Sequence, residues 1–183
     1  MNVKMKDRRG IEREVAIMSR LLDFYRGRGT DTEGRTLAEL WAYSDREMEA
    51  VHDFIQWMFP LREPSRFNPD APLLTDADVE AFRSDASLQA AMGRSLGRFL
   101  AFLGLKFEAG AVVEADDFER KRAVWTSPNH NWLRITRVLT SARMLGQADA
   151  AGAFFRFLDD RTASGEVRAD AQTLGYWSAA IRG

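Results

Sequence analysis

Apolar residues recur at helical spacing along almost the whole chain, while strict alternation over the length of a strand is nearly absent. Side chains at positions i, i+3, i+4 and i+7 share one face of an α-helix, so this pattern predicts amphipathic helices that pack against one another. At 183 residues the chain has the length of one ordinary domain. We therefore predict an all-α fold, a single helical domain over residues 1–183 that packs roughly seven to nine helices.

Capping residues and glycines predict where the helices begin and end. The first helix is expected from about Asp7 to Tyr25, before the glycine-rich loop 27–34. Capping boxes at Thr36 and Ser44 open two more helices, and the second is expected to run unbroken to Pro60. A proline-rich connection is predicted around residues 60–74. Further helices are predicted at about 75–82, 88–103, 116–125, 131–145, 149–162 and 168–181, with 105–113 a loop or one short strand.

Composition excludes several classes of protein. The chain has no cysteine, which excludes disulfide scaffolds, cysteine-bound metal and thiol nucleophiles. Its 26 basic and 27 acidic residues are spread evenly, so no nucleic-acid partner is expected. The longest apolar run, Phe99–Leu105, is too short to span a membrane, and the charged N-terminus without an apolar stretch indicates a cytoplasmic protein. Catalytic sequence motifs such as GxSxG and the Walker loop are missing.

His52 is one of only two histidines. It precedes Gln56 by four residues, so on a continuous helix the two side chains share a face. We favour a buried or half-buried histidine that bonds Gln56 or a backbone carbonyl group, with a ligand contact as the alternative. The pair is a poor metal site because an amide oxygen is a weak ligand and no second histidine has suitable spacing. We expect neither a metal nor a cofactor.

His130 lies in the segment Ser127–Asn131, directly before a predicted helix. One interpretation is that the neighbouring serine and asparagines cap the helix and His130 is incidental. The other is an anion site, since free N–H groups at a helix start favour negative charge. Arg134 and Arg137 follow on the same helix and would suit a carboxylate or a phosphate.

Residues 54–64 form the segment richest in aromatic side chains. Its apolar residues cover nearly every side of a helix, which predicts deep burial. Trp57 is therefore more plausible as a core residue than as part of a ligand site. Arg62 and Glu63 follow where this helix ends, and a charged pair there needs partners or solvent.

Several blocks of the sequence resemble the conserved region of the opioid growth factor receptor family. The resemblance extends over about residues 21–181 and rests on the order and spacing of its blocks. These blocks are Phe24-Tyr25-Arg26, Trp41, residues 52–64 and residues 130–139. Trp132 stands where the family is expected to have a polar residue.

This resemblance implies the domain alone, of a bacterial type, without the long repeat-rich tails of the animal members. In animals the family includes a receptor for an enkephalin-type peptide, and that ligand has no obvious counterpart in a bacterium. The resemblance draws attention to eight positions within its blocks as candidate ligand-binding residues. They are His52, Gln56, Trp57, Arg62, Glu63, His130, Arg134 and Arg137.

The leading functional hypothesis is a helical binding domain whose two motif segments meet to form one polar, anion-binding pocket. Its ligand would be a small anionic molecule or a peptide. An enzyme that uses histidine as acid or base and arginine to hold an anionic group is the less favoured alternative. A purely structural interaction module is the third. The sequence leaves the oligomeric state open.

Overall fold

A computed structural model of the chain describes residues 20–66 and 68–182. Helices dominate, with one small sheet beside them. The α-helices are α1 (residues 20–25), α2 (Leu37–Ala42), α3 (Asp45–Ala50), α4 (Ile55–Met58), α5 (Asp76–Ser84), α6 (Ala86–Phe102), α7 (Ala123–Thr126), α8 (His130–Met144), α9 (Ala148–Ala163) and α10 (Ala171–Arg182). The strands are β1 (Leu105–Glu108) and β2 (Ala111–Glu114), and a 3₁₀-helix covers Phe118–Lys121.

Both predicted capping boxes are present. The hydroxyl groups of Thr36 and Ser44 accept hydrogen bonds from the backbone N–H groups of Glu39 and Glu47, whose carboxylates bind back to the cap. The long C-terminal helices also lie within a few residues of their predicted positions. The part of the predicted first helix before residue 20 lies outside the described residues.

The all-α prediction holds only in outline, because residues 105–114 form a β-hairpin. Strands β1 and β2 pair antiparallel, with Leu105 opposite Glu114 and Glu108 opposite Ala111. The two turn residues, Ala109 and Gly110, both have positive φ angles, 50° and 82°, as a type I′ turn requires. The turn therefore matches the twist of the two strands. The prediction of a loop or one short strand for residues 105–113 missed the second strand.

The helix predicted to run from Ser44 to Pro60 is interrupted. Helix α3 ends at Ala50, residues 51–54 are non-helical, and α4 is a single turn from Ile55 to Met58. The helix predicted over residues 116–125 is likewise divided into the 3₁₀-helix and α7. Residues 51–54 therefore form a turn in which His52 is exposed and Phe54 is fully buried.

Helix α8 lies at the centre of the C-terminal half, where it packs against α9 and α10. Trp177 of α10 is fully buried and donates a hydrogen bond to the backbone oxygen of Trp132 at 3.2 Å. Another face of α8 is turned towards the segment 48–59, which it contacts through long-range hydrogen bonds. Within the described ranges, no helix has the length and apolar character needed to cross a bilayer.

Candidate functional site

The turn at residues 51–54 is held in place by side chains from distant parts of the chain. Arg134 of α8 donates to the carbonyl oxygens of Met48 and Val51 at 2.7 and 2.8 Å. From the opposite direction, Arg35 pairs with the carboxylate of Asp53 at 2.9 Å. The two bonds from Arg134 satisfy carbonyl groups that the end of α3 would otherwise leave unpaired. The position of His52 is therefore fixed from both sides.

Arg134 is buried, with only 6% of its surface exposed. A third hydrogen bond joins its guanidinium group to Oδ1 of Asn131 at 3.1 Å, and the group lies 5.5 Å from the centre of the Phe54 ring. Burial lowers the pKa of Arg134, and the carboxylate of Glu49 opposes that shift. Most of its N–H donors bind other parts of the protein. We call Arg134 the clamp, because its hydrogen bonds hold the turn at residues 51–54 against α8.

The two histidines meet at this clamp. The ring centres of His52 and His130 lie 5.2 Å apart, with the planes tilted by 48°. Nδ1 of His52 donates to the carbonyl oxygen of Ala50 at 2.9 Å; a carbonyl oxygen can only accept, so Nδ1 carries the proton. In neutral His52, Nε2 is consequently an acceptor. On protonation it becomes a second donor, directed away from the backbone.

His130 is the first residue of α8, and Asn129 caps this helix by accepting from the N–H group of Asn131 at 3.0 Å. Nε2 of His130 lies 3.3 Å from Oε1 of Glu49. This distance allows an ion pair, but the direction does not allow a hydrogen bond, and Nε2 has no hydrogen-bond partner among the described residues. Burial lowers the pKa of His130, the charges of Arg134 and His52 lower it further, and Glu49 raises it.

Arg137 and Gln56 continue the site along α8. Arg137 donates to the carbonyl oxygen of Phe59 at 3.1 Å; burial lowers its pKa, and the charge of Glu63 opposes the shift. The amide of Gln56 is placed in the orientation in which both of its polar atoms form hydrogen bonds. Its oxygen accepts from Ser65 Oγ, 3.2 Å away, and its nitrogen donates to the carbonyl oxygen of Asp53, 3.0 Å away. Both side chains therefore brace the segment that follows the turn.

These groups line an open cleft of about 570 Å³ between the segment 52–66 and helices α8 and α10. One face of α8 forms its floor from His130 to Thr140, a length of roughly 15 Å. His130 and Arg134 lie near the start of α8, and Thr136, Arg137 and Thr140 continue the polar lining along the helix. The apolar lining consists of Ile55, Leu61, Pro64, Leu133 and Tyr176.

The cleft includes five of the eight predicted positions, namely His52, Gln56, His130, Arg134 and Arg137. The other three lie elsewhere. Trp57 is fully buried in the hydrophobic core, and Arg62 pairs with Asp76 on the surface at 2.7 Å. Glu63 is exposed and lies outside the cleft lining, although its charge acts on Arg137.

The prediction that His52 and Gln56 share a helix face is wrong, since His52 lies in the non-helical turn. Sequence reasoning also missed Glu49, Leu133 and Tyr176. Leu133 could have been found, because it falls three residues after His130 on the face that carries Arg137. Glu49 and Tyr176 reach the site through tertiary packing, for which the sequence holds no local signal.

The site offers no metal centre within residues 20–66 and 68–182, where no three histidine, aspartate or glutamate side chains come close enough to share an ion. What the residues can do is bind a ligand through histidine and arginine at one end and apolar side chains along the rest. Fold and cleft together define a helical domain with an open cleft between two segments that lie far apart in the sequence.

The chain belongs to the family of the opioid growth factor receptor (OGFr) conserved region, whose sequence profile matches residues 18–183. The opioid growth factor receptor of mouse is 38% identical over 118 residues, which cover 63% of this chain and 18% of the mouse protein. The human receptor is 34% identical over 125 residues, covering 67% of this chain and 18% of the human protein.

A second group of relatives carries a related name. The mouse opioid growth factor receptor-like protein 1 is 30% identical over 120 residues, which cover 64% of this chain and 26% of that protein. The chain thus spans between about a fifth and a quarter of the length of these relatives. No solved structure matches the chain.

Proposed function

We propose that the chain is a ligand-binding domain and that the cleft beside His52 and His130 binds a small anionic ligand. The observation that carries this proposal is the approach of the two rings to 5.2 Å. They come from segments far apart in the sequence, and they are the only two histidines in the chain. Two imidazoles at the mouth of a cleft can offer ring N–H donors to a bound anion.

The shape of the cleft supports the same proposal. Its volume, about 570 Å³, falls within the range of ordinary small-molecule sites, which are mainly apolar with a few well-placed polar groups. The polar groups here are also fixed. Arg134 and Arg35 hold the turn of His52, and the cap of α8 holds His130. A site held in this way loses little freedom when a ligand binds.

The relatives named opioid growth factor receptor are, by that name, receptors for a growth factor. This chain covers a small part of their length, so their partner enters here only as a reason to test short peptides. A peptide would present the same chemistry through its terminal carboxylate, and we therefore include peptides among the probes.

The two histidines make the experiment direct, because only two imidazole signals are expected in a nuclear magnetic resonance spectrum of the whole chain. Carboxylates, phosphate esters, sulfonates and acetylated dipeptides are each titrated beside a neutral analogue of the same size. We expect at least one anion to shift both imidazole signals saturably while its neutral analogue shifts neither. The shift should disappear in His52→Gln and persist in Arg120→Gln, a control whose side chain is 83% exposed and remote from the cleft lining.

If no anion of any class shifts the imidazole signals, the cleft is not an anion site. If the neutral analogues shift them equally well, the cleft binds ligands but does not select for charge. Either outcome overturns the proposal.

A further inference from the structure

The charges around the cleft limit the charge of its ligand. Three arginines line it, and two of them face a glutamate: Glu49 acts on Arg134 and Glu63 on Arg137. The third, Arg66, is exposed at the rim. The neighbouring Asp53 shares Arg35 with Asp31, so these three residues together add one negative charge. With both histidines neutral these charges cancel. One proton on His52 then leaves a single positive charge, and this balance suits an anion of single charge.

The geometry at the histidine end also disfavours a phosphate. Arg134 commits three of its five N–H groups to two carbonyl oxygens and an asparagine, so most of its hydrogen-bonding capacity is used within the protein. Glu49 lies 3.3 Å from His130 and would repel a second negative charge. The available donor is Nε2 of protonated His52, which points away from the backbone.

Apolar side chains along the rest of the cleft are unusually exposed. Leu133 keeps 65% of its surface exposed and Tyr176 keeps 54%, and both lie in the cleft lining. The other exposed large apolar side chains in the described part of the chain, Leu73 at 39% and Phe107 at 38%, are less exposed than these two. Apolar surface gathered at a cleft marks a place where an apolar group binds.

From these observations we infer that the ligand is an apolar monocarboxylate. Its carboxylate lies against His52 and His130, and its apolar body lies along α8 over Leu133 towards Tyr176. This inference rests on the proposed function, since it names the chemical class of the ligand for the same cleft. In this arrangement the histidines bind the carboxylate. Arg134 is a positioning residue that holds the turn carrying His52.

The test uses the imidazole signals of the whole chain with four probes: octanoate, butanoate, octanol and octyl phosphate. We expect octanoate to shift both signals saturably. Butanoate should bind more weakly, by up to about fourfold for each methylene group removed. Octanol should leave the signals unshifted because it lacks the charge, and octyl phosphate should bind at least tenfold more weakly than octanoate.

Two leucines provide a matched pair of variants that should both fold, because each leucine is exposed. Leu133→Ser removes apolar surface inside the cleft, and Leu73→Ser removes it at a position that is 39% exposed and outside the cleft lining. We expect Leu133→Ser to weaken octanoate binding at least tenfold, while Leu73→Ser changes it less than twofold.

The outcomes separate this inference from the proposed function. If octyl phosphate binds at the imidazoles as tightly as octanoate, the cleft is an anion site but the inferred class is wrong. Equal effects of the two leucine variants, or equal affinities for butanoate and octanoate, would show that the ligand is not an apolar monocarboxylate. The proposed anion site would not be affected by either result. If octanoate leaves the imidazole signals unshifted while a sulfonate or an acetylated dipeptide shifts them, the class alone fails. If none of these anions shifts the signals, the proposed function fails as well.

Discussion

Arg134 donates to the carbonyl oxygen of Val51 at 2.8 Å, so helix α8 fixes the residue directly before His52. The same guanidinium group binds the carbonyl oxygen of Met48 at 2.7 Å. These two bonds join the segments that supply the two histidines. The shared site therefore depends on a buried arginine whose direct contacts are with the protein.

Replacing Arg134 by lysine tests this dependence. An ammonium group cannot reach both carbonyl oxygens and Asn131 in the planar arrangement of a guanidinium, so at least one buried acceptor loses its partner. We expect Arg134→Lys to lower the free energy of unfolding by about 2–4 kcal/mol, measured by urea denaturation. Arg120→Lys, at an exposed position, should change it by less than about 0.5 kcal/mol. Equal effects of the two variants would show that the clamp is unimportant.

Trp57 should contribute to stability and not to binding. Its side chain is fully buried, and its indole N–H has no hydrogen-bond partner among the described residues. Trp57→Phe therefore loses packing contacts without breaking such a bond. We expect it to lower the free energy of unfolding by about 1–2 kcal/mol. Octanoate affinity should stay within twofold of the parent chain. A loss of affinity tenfold or greater in the folded variant would place Trp57 in the binding site after all.

The stability of the fold should depend on pH through His130. Its pKa is lowered in the folded state by burial and by Arg134 and His52, against the opposing effect of Glu49. The unfolded chain therefore binds the proton more readily, and stability falls as pH drops through the ordinary histidine pKa, about 6.5. The side chain is 39% exposed, so we expect a loss below about 1 kcal/mol between pH 7.5 and 5.5.

His130→Gln isolates this contribution, because glutamine does not titrate. Urea denaturation of the two chains at both pH values should show a smaller loss for His130→Gln than for the parent. His52→Gln provides a second check, since removing the charge of His52 should raise the pKa of His130. Identical pH profiles for the parent and His130→Gln would contradict the described environment of this histidine.

Octanoate binding should be accompanied by uptake of a proton. Nε2 of His52 donates only in the protonated ring, because Nδ1 already donates to Ala50. A carboxylate bound at Nε2 therefore stabilises the protonated form of the ring. Isothermal titration calorimetry in buffers of different ionisation enthalpy measures this uptake. Binding with no proton uptake would exclude His52 as the charged donor.

The sequence predicts the local features of this fold and misses those set at long range. The hydroxyl caps at Thr36 and Ser44 act within one turn of helix and are confirmed. The break at residues 51–54 carries no proline or glycine. It is stabilised by Arg134, Arg35 and Asn68, which bind the turn from outside. Periodicity along one segment cannot reveal such bonds.

In the candidate site, too, some features could be predicted from the sequence and others depend on long-range contacts. The approach of His52 to His130 followed from the expectation that the two motif segments meet, and the rings do lie 5.2 Å apart. The orientation of His52 could not be predicted, because its helix was expected to continue. The exposed apolar wall was also missed, since periodicity assigns Leu133 to an ordinary helix position and does not show that its surface remains uncovered.

The most direct test is a crystal structure of the chain with 8-bromooctanoate, because the anomalous scattering of bromine locates the apolar end of the ligand. We expect a bromine peak in the cleft over Leu133 or Tyr176, with the carboxylate against the two imidazoles. Bromine on another surface, or the carboxylate at Arg137 with the histidines untouched, would contradict it.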